Sequence, residues 1–367
     1  MLQQYNEKNR DLIVNINGQL VHRDQAGVSP FDSAVQGGDA IWEGLRLYNG
    51  RIFKLHEHLA RLRSSAKALA FAQIPTDDEI IEQVRRTLAA NRMTDGVHIR
   101  LTLTRGVKYT SGMDPRLNTA GPTLIVLAEH KPPVYDKSGI ALITSSVRRF
   151  PPDCLDPKIH HCNLIQSILA KIEANQAGAD DALMLDVRGF VAETNAANVF
   201  IVQAPRHEGT EARRVSDEAM KRRSDEGANA ARREPRHAAG RDRRPPHAGR
   251  GERRRPSAAP AGGEQGAVLR GAVVLTPRCV ACPEGITRAT VIELCAAHGI
   301  ECHEQELSLT EVYRADEMFC TGTMGELAAV IRVDGRTIGD GRPGPVTRRL
   351  SELFGELTQR AGVPVVA

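Results

Sequence analysis

Residues 154–200 read CLDPKIHHCNLIQSILAKIEANQAGADDALMLDVRGFVAETNAANVF, and most of what the chain reveals of itself radiates from this stretch. Lys158 follows a proline at the mouth of an amphipathic segment, Cys162 to Ala174, whose spacing predicts a helix. An apolar run over Ala182 to Leu185, the turn Asp186-Val187-Arg188-Gly189 and a second run from Phe190 predict a β-hairpin. The second strand carries one acid, Glu193, followed by Thr194 and Asn195. A lysine and a carboxylate on neighbouring core elements make an electrostatic site. As bare residues, the same two charges are far more often what a solvated surface carries.

Upstream, IVNINGQLVH alternates apolar and polar residues around Asn17-Gly18, a hairpin signal, and Asn49-Gly50 marks a second tight turn after a strand over Ile41 to Tyr48. Apolar residues at 55, 59, 62, 66 and 69 form the stripe of an amphipathic helix that also holds Arg61. Asp77 to Asn91 reads as a helix capped by Thr76, and Val97 to Thr104 and Pro122 to Ala128 read as strands. The Pro- and Gly-bearing segment HKPPVYDKSG then breaks all periodicity, which predicts an interdomain linker. Downstream come a strand over Ile140 to Val147 and, beyond residue 268, a helix over Ala289 to His298 with Thr287 as a candidate cap. Further strands follow over Glu301 to Leu307 and Glu317 to Thr321, with a short helix over Thr310 to Ala315 between them. A closing helix spans Pro345 to Arg360.

Several separated motifs fall in one order: Lys158, then ETNAANVF from Glu193, LTP at Leu275–Pro277, GITR at Gly285–Arg288 and TGTMGE at Thr321–Glu326. Together they resemble the class IV aminotransferases, the fold-type-IV pyridoxal-phosphate enzymes. That family includes branched-chain aminotransferases, D-amino-acid transaminases and aminodeoxychorismate lyases. The resemblance implies a two-domain α/β (α+β) fold, with a small domain over 1–131, a linker over 132–139 and a large cofactor-binding domain over 140–367. It implies pyridoxal 5′-phosphate as cofactor, carried covalently by Lys158, which would also shuttle a proton, with Glu193 paired to the pyridine nitrogen. By the same resemblance Arg61, the amides of Ile286 and Thr287, and Thr323 hold the phosphate. Arginine suits this because its planar fork meets an anion bidentately. Trp42, Arg100 and Met324 fall on the substrate side.

The reaction so implied is ping-pong transfer of the amino group of leucine, isoleucine or valine to 2-oxoglutarate, by a homodimer. Branched-chain members often carry a tyrosine shortly before the Trp/Phe-Glu-Gly element, where this chain has Gly37-Gly38-Asp39, and another five residues after the lysine, where it has Asn163. These departures keep a D-amino-acid transaminase, a lyase of the aminodeoxychorismate type and a non-catalytic cofactor-binding protein as alternatives.

Composition fits a globular enzyme: 41% hydrophobic and 26% charged over 367 residues is enough for two buried cores. No signal peptide and no apolar run of membrane-spanning length are evident, so the expected location is the cytoplasm and no membrane partner is expected. Seven cysteines at irregular spacing read as reduced thiols. Cys279-Val280-Ala281-Cys282 has zinc-ribbon spacing without a second close pair, so no metal is expected. Residues 203–268 hold 15 Arg and one Lys against ten carboxylates, a local +6 that leaves −2 for the rest of a chain whose total is +4. That segment lacks Leu, Ile, Phe, Tyr, Trp and Cys and cannot bury enough apolar area to offset its ordering entropy, so it is expected to be disordered. It reads as a basic surface loop or as a stretch translated out of frame. Without aromatic residues to stack on bases, nucleic-acid binding is not expected of it. Deleting it joins NVFIV to LRGAVVLTP as an ordinary hairpin.

Overall fold

Asn17 and Gly18 both adopt positive φ (49° and 82°), as a two-residue hairpin turn requires, and they join β1 (Ile13–Ile16) to β2 (Gln19–His22). This hairpin is one edge of the first of two sheets in the computed structural model, which describes residues 3–204 and 271–366. The first sheet runs β16-β4-β3-β5-β6-β1-β2, with β3 (Ala40–Tyr48), β4 (Arg51–Ile52), β5 (Val97–Thr104), β6 (Thr123–His130) and β16 (Val363–Pro364). Every pairing in it is antiparallel.

Helices α2 (Leu55–Ala68) and α3 (Asp77–Ala90) lay their apolar stripes against this sheet, burying Leu55, Leu59, Leu62, Ile80, Val84 and Leu88 with Leu45, Leu47, Ile99 and Leu101. Helix α3 opens with a capping box: the Thr76 hydroxyl accepts from Glu79 N–H, and the Glu79 carboxylate accepts from Thr76 N–H at 2.7 Å. Thr76→Ala is therefore expected to cost about 1 kcal/mol of unfolding free energy, read by urea denaturation; no change would mean the box is redundant with packing.

The second sheet runs β12-β11-β10-β13-β14-β7-β8-β9, with β15 (Arg336–Thr337) added to β14. Its strands are β7 (Ile140–Thr144), β8 (Asp181–Leu185), β9 (Val191–Thr194), β10 (Asn198–Gln203), β11 (Val273–Thr276), β12 (Glu301–Glu304), β13 (Glu317–Gly322) and β14 (Glu326–Val333). Pairing is mixed, with β7 parallel to both β14 and β8. Strands β8, β9 and β10 are almost wholly buried, and Phe200 stacks on Phe319 at 4.9 Å across β10 and β13.

Strand β10 pairs antiparallel with β11, Ile201 opposite Leu275, so the two pieces flanking the arginine-rich segment do form one ladder. The expectation of disorder over 203–268 falls, apart from its first two residues, outside the described residues. The chain's last strand, β16, crosses back to pair with β4, so the sequence after residue 140 is not confined to the second sheet.

Two expectations need adjustment. The helix after the insertion, α6 (Ile286–Ala297), starts three residues before Ala289 with Gly285 as its cap, which puts Thr287 inside the first turn. Helix α5 (Ile165–Gln176) is amphipathic as expected but buries Ala170 and Ala174, while Ile165, Ile168, Leu169 and Ile172 stay exposed. Close approach of α5 to β8 admits only small side chains on the inner face, which leaves the large apolar ones outside. The remaining helices are α1 (Ser33–Gly37), α4 (Pro152–Leu155), α7 (Leu309–Tyr313) and α8 (Pro345–Arg360).

Candidate active site

Glu43 lies in the middle of β3 among apolar neighbours and is fully buried. A buried carboxylate needs cations and donors, and α2 supplies them from one face: His58 and Arg61 are three residues apart and so point the same way. Arg61 donates to both Glu43 oxygens, through Nε at 2.8 Å and Nη2 at 2.7 Å, and His58 Nδ1 lies 2.7 Å from Oε2. Burial by itself would raise the Glu43 pKa, but Arg61 and His160 outweigh it and hold the carboxyl well below its ordinary value. The remaining guanidinium nitrogen of Arg61 donates to the Glu284 carbonyl at 2.8 Å, tying α2 to the segment that opens α6.

Arg61 brings this cluster to the wall of a cavity of about 670 Å³, with Glu43 and His58 buried behind it. At the Arg61 side stands the N-terminus of α6, with Gly285, Ile286 and Thr287 on the cavity wall. Gly285 is needed for close approach, since a Cβ there would stand 1.9 Å from Asn198 Oδ1. Its absence lets the free N–H groups of the first turn face the cavity, and these with Arg61 make an anion cradle. The turn Thr321–Gly325 adds a third piece of wall.

On another wall sits Glu193, on β9 opposite Met184 of β8 and 3% exposed. Burial pushes its carboxyl up to about 7, against the lowering effect of Arg149 and Arg61. Arg149 forms a buried ion pair with Oε1, although Oε1 accepts no hydrogen bond of good geometry among the described residues. Glu193 thus reaches the cavity wall with its carboxylate ion-paired to Arg149 but short of hydrogen-bond donors, which leaves it able to take a donor from a ligand.

Trp42 and Arg100 share a third side. The Arg100 guanidinium lies 3.6 Å over the Trp42 ring, and burial lowers its pKa. His160 also stacks on Trp42, at 4.3 Å, with Nδ1 2.5 Å from the Trp42 carbonyl. Because a carbonyl only accepts, Nδ1 carries the hydrogen; burial and then Arg61 lower the imidazole pKa, so the ring is neutral and Nε2 is a lone-pair acceptor.

Of the site residues expected from sequence, Arg61, Glu193, Ile286, Thr287, Thr323, Trp42, Arg100 and Met324 all line this one cavity. Lys158 does not. Its side chain is exposed, while its neighbours Pro157, Ile159, His160 and His161 line the wall. The cause is local. Asp156 accepts the Lys158 N–H through its side chain at 2.9 Å and the Ile159 N–H through its carbonyl at 3.1 Å, a turn that buries Pro157 and turns Lys158 outward. The chain is then stitched to β3, with Trp42 N–H donating to the His160 carbonyl at 3.0 Å and Cys162 N–H to that of Ala40 at 2.8 Å.

Three residues of the site escaped the sequence reading as site residues: Glu43, Arg149 and His160. Glu43 had a signal, a lone acid in an apolar strand ahead of a His-x-x-Arg helix. Among the described residues no group of three or more metal-ligating side chains occurs, and all seven cysteines are free.

The family model for amino-transferase class IV matches residues 40–211 and 267–333. A putative branched-chain-amino-acid aminotransferase of Methanocaldococcus jannaschii is 34% identical over 352 residues, spanning 96% of this chain and 98% of that one. The chain belongs to the class IV aminotransferases. Pyridoxal 5′-phosphate is the cofactor of this family. The solved T.th. branched-chain amino acid aminotransferase with pyridoxamine 5′-phosphate is similar to this chain at a TM-score of 0.72 and 27% identity, covering 95% of each. Branched-chain-amino-acid aminotransferase-like protein 2 of Arabidopsis thaliana is 46% identical over 98% of this chain but only 52% of its own length. The class IV chain described here thus spans about half the length of the curated relatives it matches at that level.

The residues present fit the non-covalent part of the cofactor. An anion cradle at Arg61 and α6 suits a phosphate, and the buried Glu193 carboxylate, short of hydrogen-bond donors, suits the N–H of a protonated pyridine. The covalent part has no fit at Lys158.

Proposed function

We propose that this chain transfers the amino group of a branched-chain L-amino acid, leucine, isoleucine or valine, to 2-oxoglutarate in two half-reactions at this cavity. The observation that carries the reading is the sorting of charge along one cavity: an anion cradle at one wall and the buried Glu193, its carboxyl raised to about 7 beside Arg149, at another. When bound, pyridoxal 5′-phosphate supplies an electron-withdrawing ring that makes the α-hydrogen of an amino acid acidic. Arg61, the first amides of α6 and Thr323 would hold its phosphate. Glu193 would accept from its ring nitrogen and favour the protonated ring. Phe150, Leu155, Ile159, Leu164 and Met324 supply apolar wall for an aliphatic side chain, and Arg100 offers a cation to a carboxylate.

A homodimer is part of the proposal. Ile165, Ile168, Leu169 and Ile172 fall at helical spacing on α5; Ile168 and Ile172 line the cavity, and the exposed Ile165 and Leu169 continue that apolar surface beyond it, where a second copy would cover it. Sedimentation equilibrium of the full chain is expected to give twice the chain mass, and a monomer at micromolar concentration would remove this part.

The activity is tested by incubating the full chain with pyridoxal 5′-phosphate, L-leucine and 2-oxoglutarate. Equal amounts of glutamate and the 2-oxo acid of leucine are expected, and none with D-alanine as donor. Turnover of D-alanine alone would transfer the substrate reading to D-amino acids. Retained cofactor with no product from any donor would leave a binding protein.

A further inference from the structure

A covalent link to an aldehyde cofactor needs a primary amine inside the cavity, because only a primary amine can lose two hydrogens with the aldehyde oxygen as water and form a carbon–nitrogen double bond. Lys158 is outside. Lys171 of α5 is the one lysine on the cavity wall among the described residues, and its ammonium is engaged by the Asp180 carbonyl and lies 3.8 Å from Asp181 Oδ1. The wall between Trp42 and the Glu43–Arg61 cluster is instead filled by His160. It is fixed on every side: stacked on Trp42, its Nδ1–H held by the Trp42 carbonyl, its backbone N–H donating to Ser65 Oγ at 3.0 Å and its carbonyl accepting from Trp42 N–H. An imidazole in this position can accept a proton at Nε2 but cannot condense with an aldehyde.

We infer that this chain holds pyridoxal 5′-phosphate without a covalent bond to the protein, with His160 in the place on the wall where an attaching amine would act. The inference rests on the reading of the cavity given above, and the experiment separates the two. The full-length chain is mixed with pyridoxal 5′-phosphate and passed through an ultrafiltration membrane to measure retention. The retained complex is treated with borohydride, which turns any carbon–nitrogen double bond into a stable amine, and the intact mass and the tryptic peptides are measured.

The expected result is retention of the cofactor with no added mass on the wild-type chain, and the same for Lys158→Ala. His160→Lys is expected to gain one cofactor-derived adduct per chain, mapped to position 160. An adduct on Lys158 or Lys171 of the wild-type chain overturns the inference while leaving the cavity reading intact. Absence of retention by the wild-type chain overturns the cavity reading and the inference with it. If His160→Lys does not fold, the wild-type adduct map alone still decides.

Discussion

Replacing Glu43 by alanine is expected to lower the unfolding free energy by about 3–5 kcal/mol, the cost of leaving the largely buried Arg61 guanidinium without its counter-ion. Glu43 is fully buried and accepts two hydrogen bonds from Arg61, lies 2.7 Å from His58 Nδ1, and stands 3.5 Å from His160 Nδ1. With alanine the guanidinium keeps its burial and loses both partners, and the space of a carboxylate opens in the first sheet. Glu43→Gln preserves shape and one acceptor, so it is expected to cost less. The measurement is urea unfolding of the full chain, and a loss below about 1 kcal/mol would show that solvent reaches this cluster. The same group gives a pH signature. Its folded pKa is depressed below the unfolded value of 4.5, so its contribution is fully present above pH 4.5 and is lost as pH falls through the lowered folded value.

Glu193 behaves in the opposite sense, and Glu193→Gln is the second large effect. An unfolded chain ionises this carboxyl near 4.5, whereas the folded protein keeps its proton to about 7. Between those values the folded state binds a proton that the unfolded state has lost. Its contribution is therefore complete below pH 4.5 and declines as pH rises toward 7. The total decline is about 3 kcal/mol at 1.36 kcal/mol per unit. Glutamine mimics the protonated form at every pH. The variant without cofactor is thus expected to lose this slope and to exceed the wild type in stability at pH 8 by an amount on the order of 1–3 kcal/mol.

Its binding should suffer in exchange. A charge-assisted hydrogen bond to a cationic ring nitrogen is worth about 1.5–3 kcal/mol, so retention of pyridoxal 5′-phosphate is expected to weaken by roughly 10- to 100-fold. Thermal unfolding across pH 5–8, paired with equilibrium dialysis, reads both effects. Parallel pH profiles for variant and wild type would show that Glu193 is ionised in the folded chain throughout. A stable variant with unweakened binding would remove Glu193 from the cofactor site.

Much of this protein was legible in the chain. Period-two alternation marked β5 over Val97–Thr104, and helical spacing marked α8 over Pro345–Arg360, because both patterns record which face meets a core. Asn-Gly pairs marked two hairpins because few residues accept positive φ twice in succession. Motif order pointed to the family, and eight expected site residues came together on one cavity although they lie up to 282 positions apart, from Trp42 to Met324. What the sequence could not carry was direction within irregular backbone. Helices and strands have a period that tells in from out, and the turn over Asp156–Ile159 has none. Its hydrogen bonds to Asp156 turn Lys158 to solvent and let His160, two residues on, take the wall. Likewise the stripe on α5 announced an apolar face, but only packing against β8 decided that the alanines would face the sheet and the larger apolar side chains the cavity and its rim. The local code fixes which elements form; the contacts between them, summed over partners distant in sequence, decide which side chain of a turn meets the cavity.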